Sequence, residues 1–547
     1  MTEPGTVKRR VVFALALLIL NISLTFENVW PTPWITWTGE LSMEFAIAAA
    51  ILLFITARQT SLSRAALRRL TVLWILLIVG RYVDVTAPAL WGRELNFYWD
   101  LRFLPDVAAM LGRAASLRVV LAVVFGALAV MLVTYGIVRW ALGRLERGLH
   151  APDERRALAI GLAIIVALFS LQRLTPLPRV PAFAAPVTVV YGRQVNFTIN
   201  ALSGAKTLAP SPSFDSNLSA VSGADVLLLF VESYGAVTYE RPEFAARLDA
   251  PRHALDAAIH ASGFDVASAY VESPTFGGSS WFAHISLLSG IEVRDPDANA
   301  LLMTERRPTL PTAFAAHGYR SLAVMPGLWY PWPEGAFYGF TDVYNGERLQ
   351  YHGPPFGWWA LPDQFTLAKL DALEMKPPPR APLFVFLPTV STHTPFTPQP
   401  PYQPNWPRML TDTPYDEPDL ERAYDEELDW MNLSPDYVAA VAYAYTTLAG
   451  YLGQHANQDL VLIVLGDHQP PALVSGTHAP WDVPVHIITN RVEILDRLLA
   501  RGFRKGITPE RPSLGKMHTL TPMLLDAFGS GKDTLQKQTT EDTGKHN

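Results

Sequence analysis

Two short segments of the sequence place metal-binding residue types at the ends of apolar runs. Glu232 follows the run 225–231, within LLLFVESYG, and Asp467 and His468 stand where the run 459–467 ends, within VLIVLGDHQPP. A carboxylate, an Asp-His pair and a nearby hydroxyl provide the oxygen and imidazole ligands that zinc and manganese take in proteins. The sequence therefore predicts a divalent metal site. A hydroxyl on such a metal has a lowered pKa and becomes a nucleophile near neutral pH.

The candidate hydroxyl lies in a third segment, FGGSSWFAHISLLSG, which spans residues 276–290. Two glycines precede Ser279 and Ser280, and an amphipathic run typical of a helix follows them. A serine at this position has two interpretations: it caps the helix, or it acts as the nucleophile. The free backbone N–H groups and the positive dipole end of a helix start would also bind a phosphate or a sulfate.

His393 is a further candidate because it follows another apolar run, within FLPTVSTHTPF. Taken alone, each residue has a plainer interpretation. Glu232 can be a helix cap or an edge carboxylate, and His393 can be an ordinary loop histidine. Their joint occurrence, each at the end of a strand-like run, favours one shared site.

Strand-like and helical patterns alternate from about residue 224 onward. Continuous apolar runs are typical of strands buried on both faces, and they fall at 225–231, 319–325, 382–388, 459–467 and 485–489. Helical patterns lie between them at 252–263, 309–318, 364–374 and 437–455. This alternation predicts an α/β sandwich with a mostly parallel central sheet, whose sites form at the carboxyl ends of the strands.

The N-terminal part of the chain predicts an α-helical membrane domain. The protein is 49% hydrophobic and only 17% charged. Spans near the ~20 residues that cross a bilayer fall at 11–26, 41–57, 70–91, 117–142 and 157–174. The loops 58–69 and 143–156 are basic, whereas 27–40 has no Lys or Arg. By the positive-inside rule, the N-terminus is cytoplasmic and everything after the fifth span is outside.

These patterns predict four segments in the 547-residue chain. They are a five-helix transmembrane domain (1–175), a linker along the membrane surface (176–223), an extracytoplasmic catalytic domain (224–529) and a disordered tail (530–547). The absence of cysteine excludes disulfides and thiolate zinc sites, and the net charge of −6 argues against nucleic acid as a partner.

Beyond these patterns, the sequence resembles the alkaline phosphatase–sulfatase superfamily. The resemblance rests mainly on VLLLFVESYG, SSWFAHISLLSG and VLGDHQPP. Within that superfamily, the layout is similar to that of membrane-anchored five-span transferases. These include lipoteichoic acid synthases, phosphoglycerol transferases and lipid A phosphoethanolamine transferases.

The resemblance selects one serine as the nucleophile. Sulfatases carry Cys-x-Pro-Ser-Arg-x-x-Leu-Leu-Thr-Gly, and counting back ten residues from Gly290 gives Ser280, with Ser279 and Thr275 as the next choices. The Pro and Arg of the pattern are absent, and His284 stands where the Arg would be. Conversion of the nucleophile to formylglycine, which true sulfatases need, is therefore not expected.

The resemblance also implies roles for other residues. Glu232, Ser280, Asp467 and His468 would bind one divalent metal, Zn²⁺ or Mn²⁺, and His393 would contact the substrate or protonate the leaving group. Further substrate-binding residues would be His478, His284, Trp359 and Asp363.

The implied reaction transfers a phospho-alcohol head group, phosphoglycerol or phosphoethanolamine, from a membrane phospholipid through Ser280 to a glycan or glycolipid hydroxyl. Two alternatives stay open: a membrane-bound sulfatase or phosphodiesterase that uses water, and an inactive relative that binds lipid. The implied location is a bacterial inner (plasma) membrane, crossed several times, with the catalytic domain periplasmic or extracellular.

Overall fold

The structure is a computed structural model, and it forms two compact units, residues 1–204 and 205–547. The described residues are 4–29, 32–57, 61–91, 95, 97–101, 108, 117–174, 183–203, 207–329, 332, 334–375, 379–476 and 478–530. The predicted tail lies outside them from residue 531 onward.

The first unit is mainly helical. Its helices are Pro4–Ile22, Met43–Ala57, Arg64–Trp91, Phe97–Asp100, Leu117–Gly148, Pro152–Leu174 and Val187–Ser203. Two short strands, β1 (Phe26–Asn28) and β2 (Ile35–Trp37), pair in an antiparallel hairpin. Each of the five predicted spans falls on one of these helices.

Two helices in the described part of this unit are long and apolar enough to cross a membrane, Arg64–Leu90 and Leu117–Gly148. The helix Met43–Ala57 is apolar but shorter. On Leu117–Gly148, large apolar side chains such as Phe125 and Leu132 are 65% and 71% exposed, which suits hydrocarbon better than water. The presence of five membrane crossings therefore stays a prediction, because two of the described helices are long and apolar enough to cross a membrane.

The helix Val187–Ser203 lies inside the segment predicted to be a linker, 176–223, and the sequence analysis did not anticipate it. It is held by polar contacts to preceding helices. The Tyr191 hydroxyl donates to the Leu76 carbonyl at 2.6 Å, and the backbone N–H of Thr188 donates to Glu44 at 3.1 Å. The Pro-rich and Ser-rich residues on either side of the helix concealed it in the sequence.

The second unit contains a single eight-stranded sheet among its described residues. The strands are β3 (Asp225–Val231), β4 (Asp265–Glu272), β5 (Arg320–Met325), β6 (Asp342–Asn345), β7 (Leu383–Pro388), β8 (Leu460–Gly466), β9 (Asp482–Thr489) and β10 (Arg504–Lys505). Their spatial order is β10-β4-β9-β8-β3-β7-β5-β6. The five neighbours from β8 to β6 are mutually parallel, whereas β9 and β10 run antiparallel to the strands beside them. The predicted mostly parallel sheet is confirmed.

Helices cover both faces of this sheet. The main ones are Pro242–Ala261, Trp281–Ser289, Pro296–Thr304, Leu310–Ala316, Asp363–Leu373, Glu417–Tyr424, Ser434–Gln454, Val492–Leu499 and Leu520–Phe528. Alternate residues of β3 enter different cores, because successive side chains of a strand point to opposite faces. Leu227 and Leu229 belong to one hydrophobic cluster, and Leu228 and Phe230 belong to the other. Burial on both faces explains the continuous apolar runs in the sequence.

All the predicted strands and helices of this unit are present, but β4, β6 and β10 were not predicted. The strand β4 carries Ser268 at its centre, where the hydroxyl lies 2.7 Å from Nδ1 of His486 on β9. This polar pair is fully hydrogen-bonded inside the sheet, so the sequence of β4 is not a continuous apolar run. The strand β9 begins at Asp482, before the predicted start.

Candidate active site

A cluster of three potential metal ligands lies at the carboxyl ends of two adjacent parallel strands. Glu232 follows β3, while Asp467 and His468 follow β8, and the parallel register of β3 and β8 brings the two ends together. One ligand atom from each residue lies within 4.8 Å of the others, and all three residues are buried. The Nε2 atom of His468 is 3.4 Å from the Glu232 carboxylate.

Ser280 adds a hydroxyl to this cluster. Its Oγ donates a hydrogen bond of 2.8 Å to Glu232 and lies 3.2 Å from Nε2 of His468. Ser280 occupies the N-cap position of the helix Trp281–Ser289, but its side chain makes no capping hydrogen bond. The helix-cap interpretation is therefore wrong for Ser280. The hydroxyl of Thr275 instead donates to the Gly278 carbonyl at 2.6 Å.

A loop with two glycines places Ser280 in contact with Glu232 and His468. Gly277, Gly278 and Ser279 all have positive φ angles, of 64°, 142° and 62°, which residues other than glycine rarely adopt. The backbone N–H of Gly277 donates to the carbonyl of Gln469 at 3.1 Å. The loop is thus tied to the segment that carries Asp467 and His468, so the two glycines fix the position of the serine.

Several residues that the sequence analysis missed hold the ligands in place. The N–H groups of Ser233 and His468 both donate to Oδ1 of Asp467, at 2.8 and 2.7 Å. The backbone N–H of Glu232 donates to the Thr389 hydroxyl at 3.2 Å, and the Tyr437 hydroxyl donates to the Ser233 carbonyl at 2.8 Å. Ser233 follows Glu232 directly in the ESYG motif, but nothing in the sequence marks Thr389 or Tyr437.

The electrostatics of the cluster favour a cation. Burial raises the pKa of Asp467, and repulsion from Glu232 raises it further. Burial also acts to raise the pKa of Glu232, but the combined effects of His468, His393 and Asp467 outweigh it and lower that pKa. Burial acts to lower the pKa of His468, yet the two carboxylates raise it to about 9. Two buried carboxylates face one imidazole and one hydroxyl, a donor set that fits Zn²⁺ or Mn²⁺.

The predicted leaving-group acid and one aromatic residue lie beside this cluster. His393 stands in the turn after β7, and its charge contributes to the lowered pKa of Glu232. The Trp359 ring is 5.9 Å from the His393 ring and nearly perpendicular to it. These two residues therefore lie together, and their roles stay predictions.

Asp363 lies beneath this region rather than in an open cleft. Its side chain is 2% exposed, and its carboxylate accepts the backbone N–H groups of Val390 at 2.7 Å and Ser391 at 3.1 Å. Burial raises the pKa of Asp363 to about 6. The structure therefore gives Asp363 a positioning role, because it anchors the turn that carries His393.

The two remaining histidines differ in their surroundings. His284 is buried between the rings of Phe230 and Phe386, at centroid distances of 4.7 and 5.3 Å, and burial lowers its pKa to about 3. His478 is exposed in a turn with a φ of 59°. No hydrogen bond or ion pair among the described residues connects His478 with the metal-ligand cluster.

Residues 298–486 match the family model described as Sulfatase. This region, less than half of the chain, is similar to the Sulfatase domain. The matched range includes Asp467, His468 and His393, while Glu232 and Ser280 precede it. The predicted resemblance to the alkaline phosphatase–sulfatase superfamily is confirmed, and the domain indicates an enzyme that acts on phosphate or sulfate esters. Members of this superfamily depend on metal, which agrees with the donor set of the cluster.

Solved structures with similarity to part of this chain come from several bacteria. The lipoteichoic acid synthase LtaP from Listeria monocytogenes is 14% identical, covers 61% of this chain and 80% of its own, and gives a TM-score of 0.36. The phosphoglycerol transferase GacH from Streptococcus pyogenes, in complex with sn-glycerol-1-phosphate, is 11% identical, with coverages of 63% and 94% and a TM-score of 0.33. The zinc complex of the periplasmic domain of EptC from Escherichia coli is 15% identical, with coverages of 52% and 77% and a TM-score of 0.32. No curated protein matches the sequence.

Proposed function

We propose that this chain transfers a phospho-alcohol head group, phosphoglycerol or phosphoethanolamine, from a membrane phospholipid to a hydroxyl of a glycan or glycolipid. The observation that carries this proposal is the position of the Ser280 hydroxyl, in contact with Glu232 and His468. A serine hydroxyl among metal ligands is the arrangement that nucleophilic catalysis on a phosphodiester needs.

In the first half of the reaction, the Ser280 hydroxyl releases its proton to water, its Oγ forms a bond to the phosphorus, and the phosphorus–oxygen bond to diacylglycerol breaks. His393 donates a proton to the departing diacylglycerol oxygen. A Zn²⁺ or Mn²⁺ ion held by Glu232, Asp467 and His468 would supply stabilisation of the serine alkoxide and of the phosphate charge.

In the second half, the acceptor hydroxyl attacks the phosphorus of the phosphoserine ester. Its proton passes to His393, which lost its own proton in the first half. The bond between phosphorus and Ser280 breaks, and the serine oxygen takes back from water the proton that it released in the first half. Atoms and charge balance over the two halves without any further reactant.

The proposal includes an anchor of five membrane spans, with the sulfatase domain on the outer side of a bacterial inner membrane. The two long apolar helices and the exposed apolar side chains of Leu117–Gly148 support the anchor. An anchored enzyme would meet its phospholipid donor within the same leaflet.

A hydrolase is the second candidate, and the match to the Sulfatase family model favours it. Such an enzyme would use the same residues but pass the phosphoryl or sulfuryl group to water. A true sulfatase would further require Ser280 to be converted to formylglycine.

The test is the intact mass of the full chain, purified with Zn²⁺ or Mn²⁺, before and after incubation with mixed phospholipids. The proposal expects an added mass equal to a phosphorylated head group, absent from Ser280→Ala, and transfer of that group to an added glycolipid. Release of the head group to water without any transfer would identify a phosphodiesterase. An aldehyde mass at Ser280 before incubation would identify a sulfatase.

A further inference from the structure

A cavity of about 270 Å³ lies next to the nucleophile, and the proposed mechanism does not use it. Trp281, which directly follows Ser280, lines it together with His284, one helical turn further on. The opposite side comes from Trp332, Glu334 and Tyr338, in the segment after β5. The cavity is many times larger than the ~30 Å³ that one water occupies in the liquid. A small organic group attached to a phosphate at Ser280 would therefore fit inside it.

His284 lines this cavity with part of its ring. The residue is 8% exposed, and its Nε2 atom is buried without a hydrogen-bond partner among the described residues. Because Nε2 is inaccessible to water, the imidazole contributes its ring, and not this nitrogen, to the cavity wall.

The charge of the cavity lining determines the kind of ligand. Among the described residues that line it, Glu334 is the one charged side chain, and none is Lys or Arg. Glu334 is exposed, and no ion pair within the described part of the chain engages it. A carboxylate without a cationic partner repels an anion and attracts a cation.

The aromatic lining favours the same ligand. The rings of Trp332 and Tyr338 pack together at 5.1 Å, and Trp281 and Phe386 also line the cavity. Aromatic faces attract ammonium groups through their quadrupoles, most strongly in the case of Trp. The side chains of Met303 and Met325 complete the wall.

We infer that this cavity binds the ammonium end of an amino-alcohol head group while the phosphate lies at Ser280. The inference rests on the proposed function and makes it more specific. It selects donors with an ethanolamine-type head group over donors with glycerol. Glu334 and the aromatic rings determine this preference.

The experiment compares kcat/KM for phosphatidylethanolamine and phosphatidylglycerol in detergent micelles, using the full chain loaded with Zn²⁺. We expect the ethanolamine lipid to be preferred by the wild-type chain. In Glu334→Gln, the ratio of the two kcat/KM values should fall about tenfold, because the ion pair to the ammonium is lost. Glu347→Gln is the matched control, since Glu347 is an exposed acid nearby that does not line the cavity. In that variant the ratio should be unchanged.

The outcomes separate this inference from the proposed function. Equal kcat/KM values for the two lipids in the wild-type chain, or an unchanged ratio in Glu334→Gln, would overturn the inference and leave the transfer reaction in place. A preference for the glycerol lipid would also overturn it. No turnover of either lipid or of a small generic phosphodiester, with no adduct on Ser280, would overturn both.

Discussion

The Ser280 hydroxyl donates a hydrogen bond of 2.8 Å to the Glu232 carboxylate, although the two residues are 48 positions apart. Glu232 is placed by the end of β3, and Ser280 is placed by the glycine loop before its helix. Ser280 makes no capping hydrogen bond, so this contact does not serve the start of the helix. It aims the hydroxyl at the position that a metal between Glu232, Asp467 and His468 would take.

Replacing Ser280 by alanine should therefore abolish the reaction. We expect kcat/KM on a phosphodiester to fall on the order of a thousandfold or more, because the nucleophile is lost. The covalent adduct should disappear from the intact-mass spectrum. Metal content should fall less than activity, because three ligands remain.

Ser279→Gly is the matched control for this substitution. Ser279 has a φ of 62°, which glycine adopts without strain, so the loop should keep its conformation. Its activity should stay within a few-fold of the wild-type value. Equal losses in Ser279→Gly and Ser280→Ala would show that the loop, and not the Ser280 hydroxyl, is what the reaction needs.

Removal of the metal should inactivate the enzyme reversibly. Dialysis against a strong chelator should remove the activity, and Zn²⁺ or Mn²⁺ should restore it. Asp467→Asn should lose stoichiometric metal, because a buried amide replaces a charged ligand. Elemental analysis of the purified chain tests this directly, and full activity of a metal-free preparation would contradict the assignment of the cluster.

Part of this site could be predicted from sequence because its residues follow strands. Glu232, Asp467 and His468 stand directly after apolar runs, and parallel strands bring such positions to one sheet edge. Thr389 and Tyr437 could not be predicted, because they act through single hydrogen bonds to backbone atoms of distant segments. Such contacts leave no pattern in the chain.

The elements of the fold were likewise predicted only in part. The buried parallel strands were predicted, because burial on both faces gives a continuous apolar run. The strand β4 was missed, because the buried pair of Ser268 and His486 puts polar residues inside the sheet. The polar contacts of Val187–Ser203 likewise join residues more than a hundred positions apart, which no local pattern reveals.

Asp363→Ala should lower kcat without removing the metal. The substitution leaves the N–H groups of Val390 and Ser391 without their acceptor, so the turn that carries His393 should loosen. We expect kcat to fall about tenfold, less than the roughly 10²–10⁴-fold that general acid catalysis contributes, because His393 itself remains. Asp371→Asn, on the same helix, is the control. It weakens the contact between the Asp371 carboxylate and His455, and it shows what a loss of stability alone does to kcat. A similar loss of kcat in both variants would contradict the positioning role.

The raised pKa of Asp363 also predicts a pH dependence of stability. Burial raises this pKa to about 6, whereas the pKa of an unfolded Asp is about 4. Between these values the folded state holds a proton that the unfolded state has released, so the free energy of unfolding falls as pH rises through this window. The whole fall amounts to about 3 kcal/mol. The Asp363→Asn variant cannot ionise at this position. Between about pH 4 and pH 6, its melting temperature should therefore fall less than that of the wild-type chain. Parallel curves of melting temperature against pH for the variant and the wild-type chain would contradict this prediction.

The number of membrane crossings can be measured by labelling single cysteines, because the natural chain has none. The informative substitutions are Thr36→Cys, Ser61→Cys and Ser222→Cys, all at exposed positions. With five spans, a maleimide that cannot cross the membrane should label positions 36 and 222 in spheroplasts. Position 61 should react only after lysis.

Two spans would give a different pattern. If only Arg64–Leu90 and Leu117–Gly148 crossed the membrane, positions 36, 61 and 222 would all lie on the same side and would react alike. Labelling of position 61 together with position 222 would therefore contradict the five-span anchor. Protection of position 61 alone would support it, because the basic loop 58–69 would then be cytoplasmic, as the positive-inside rule requires.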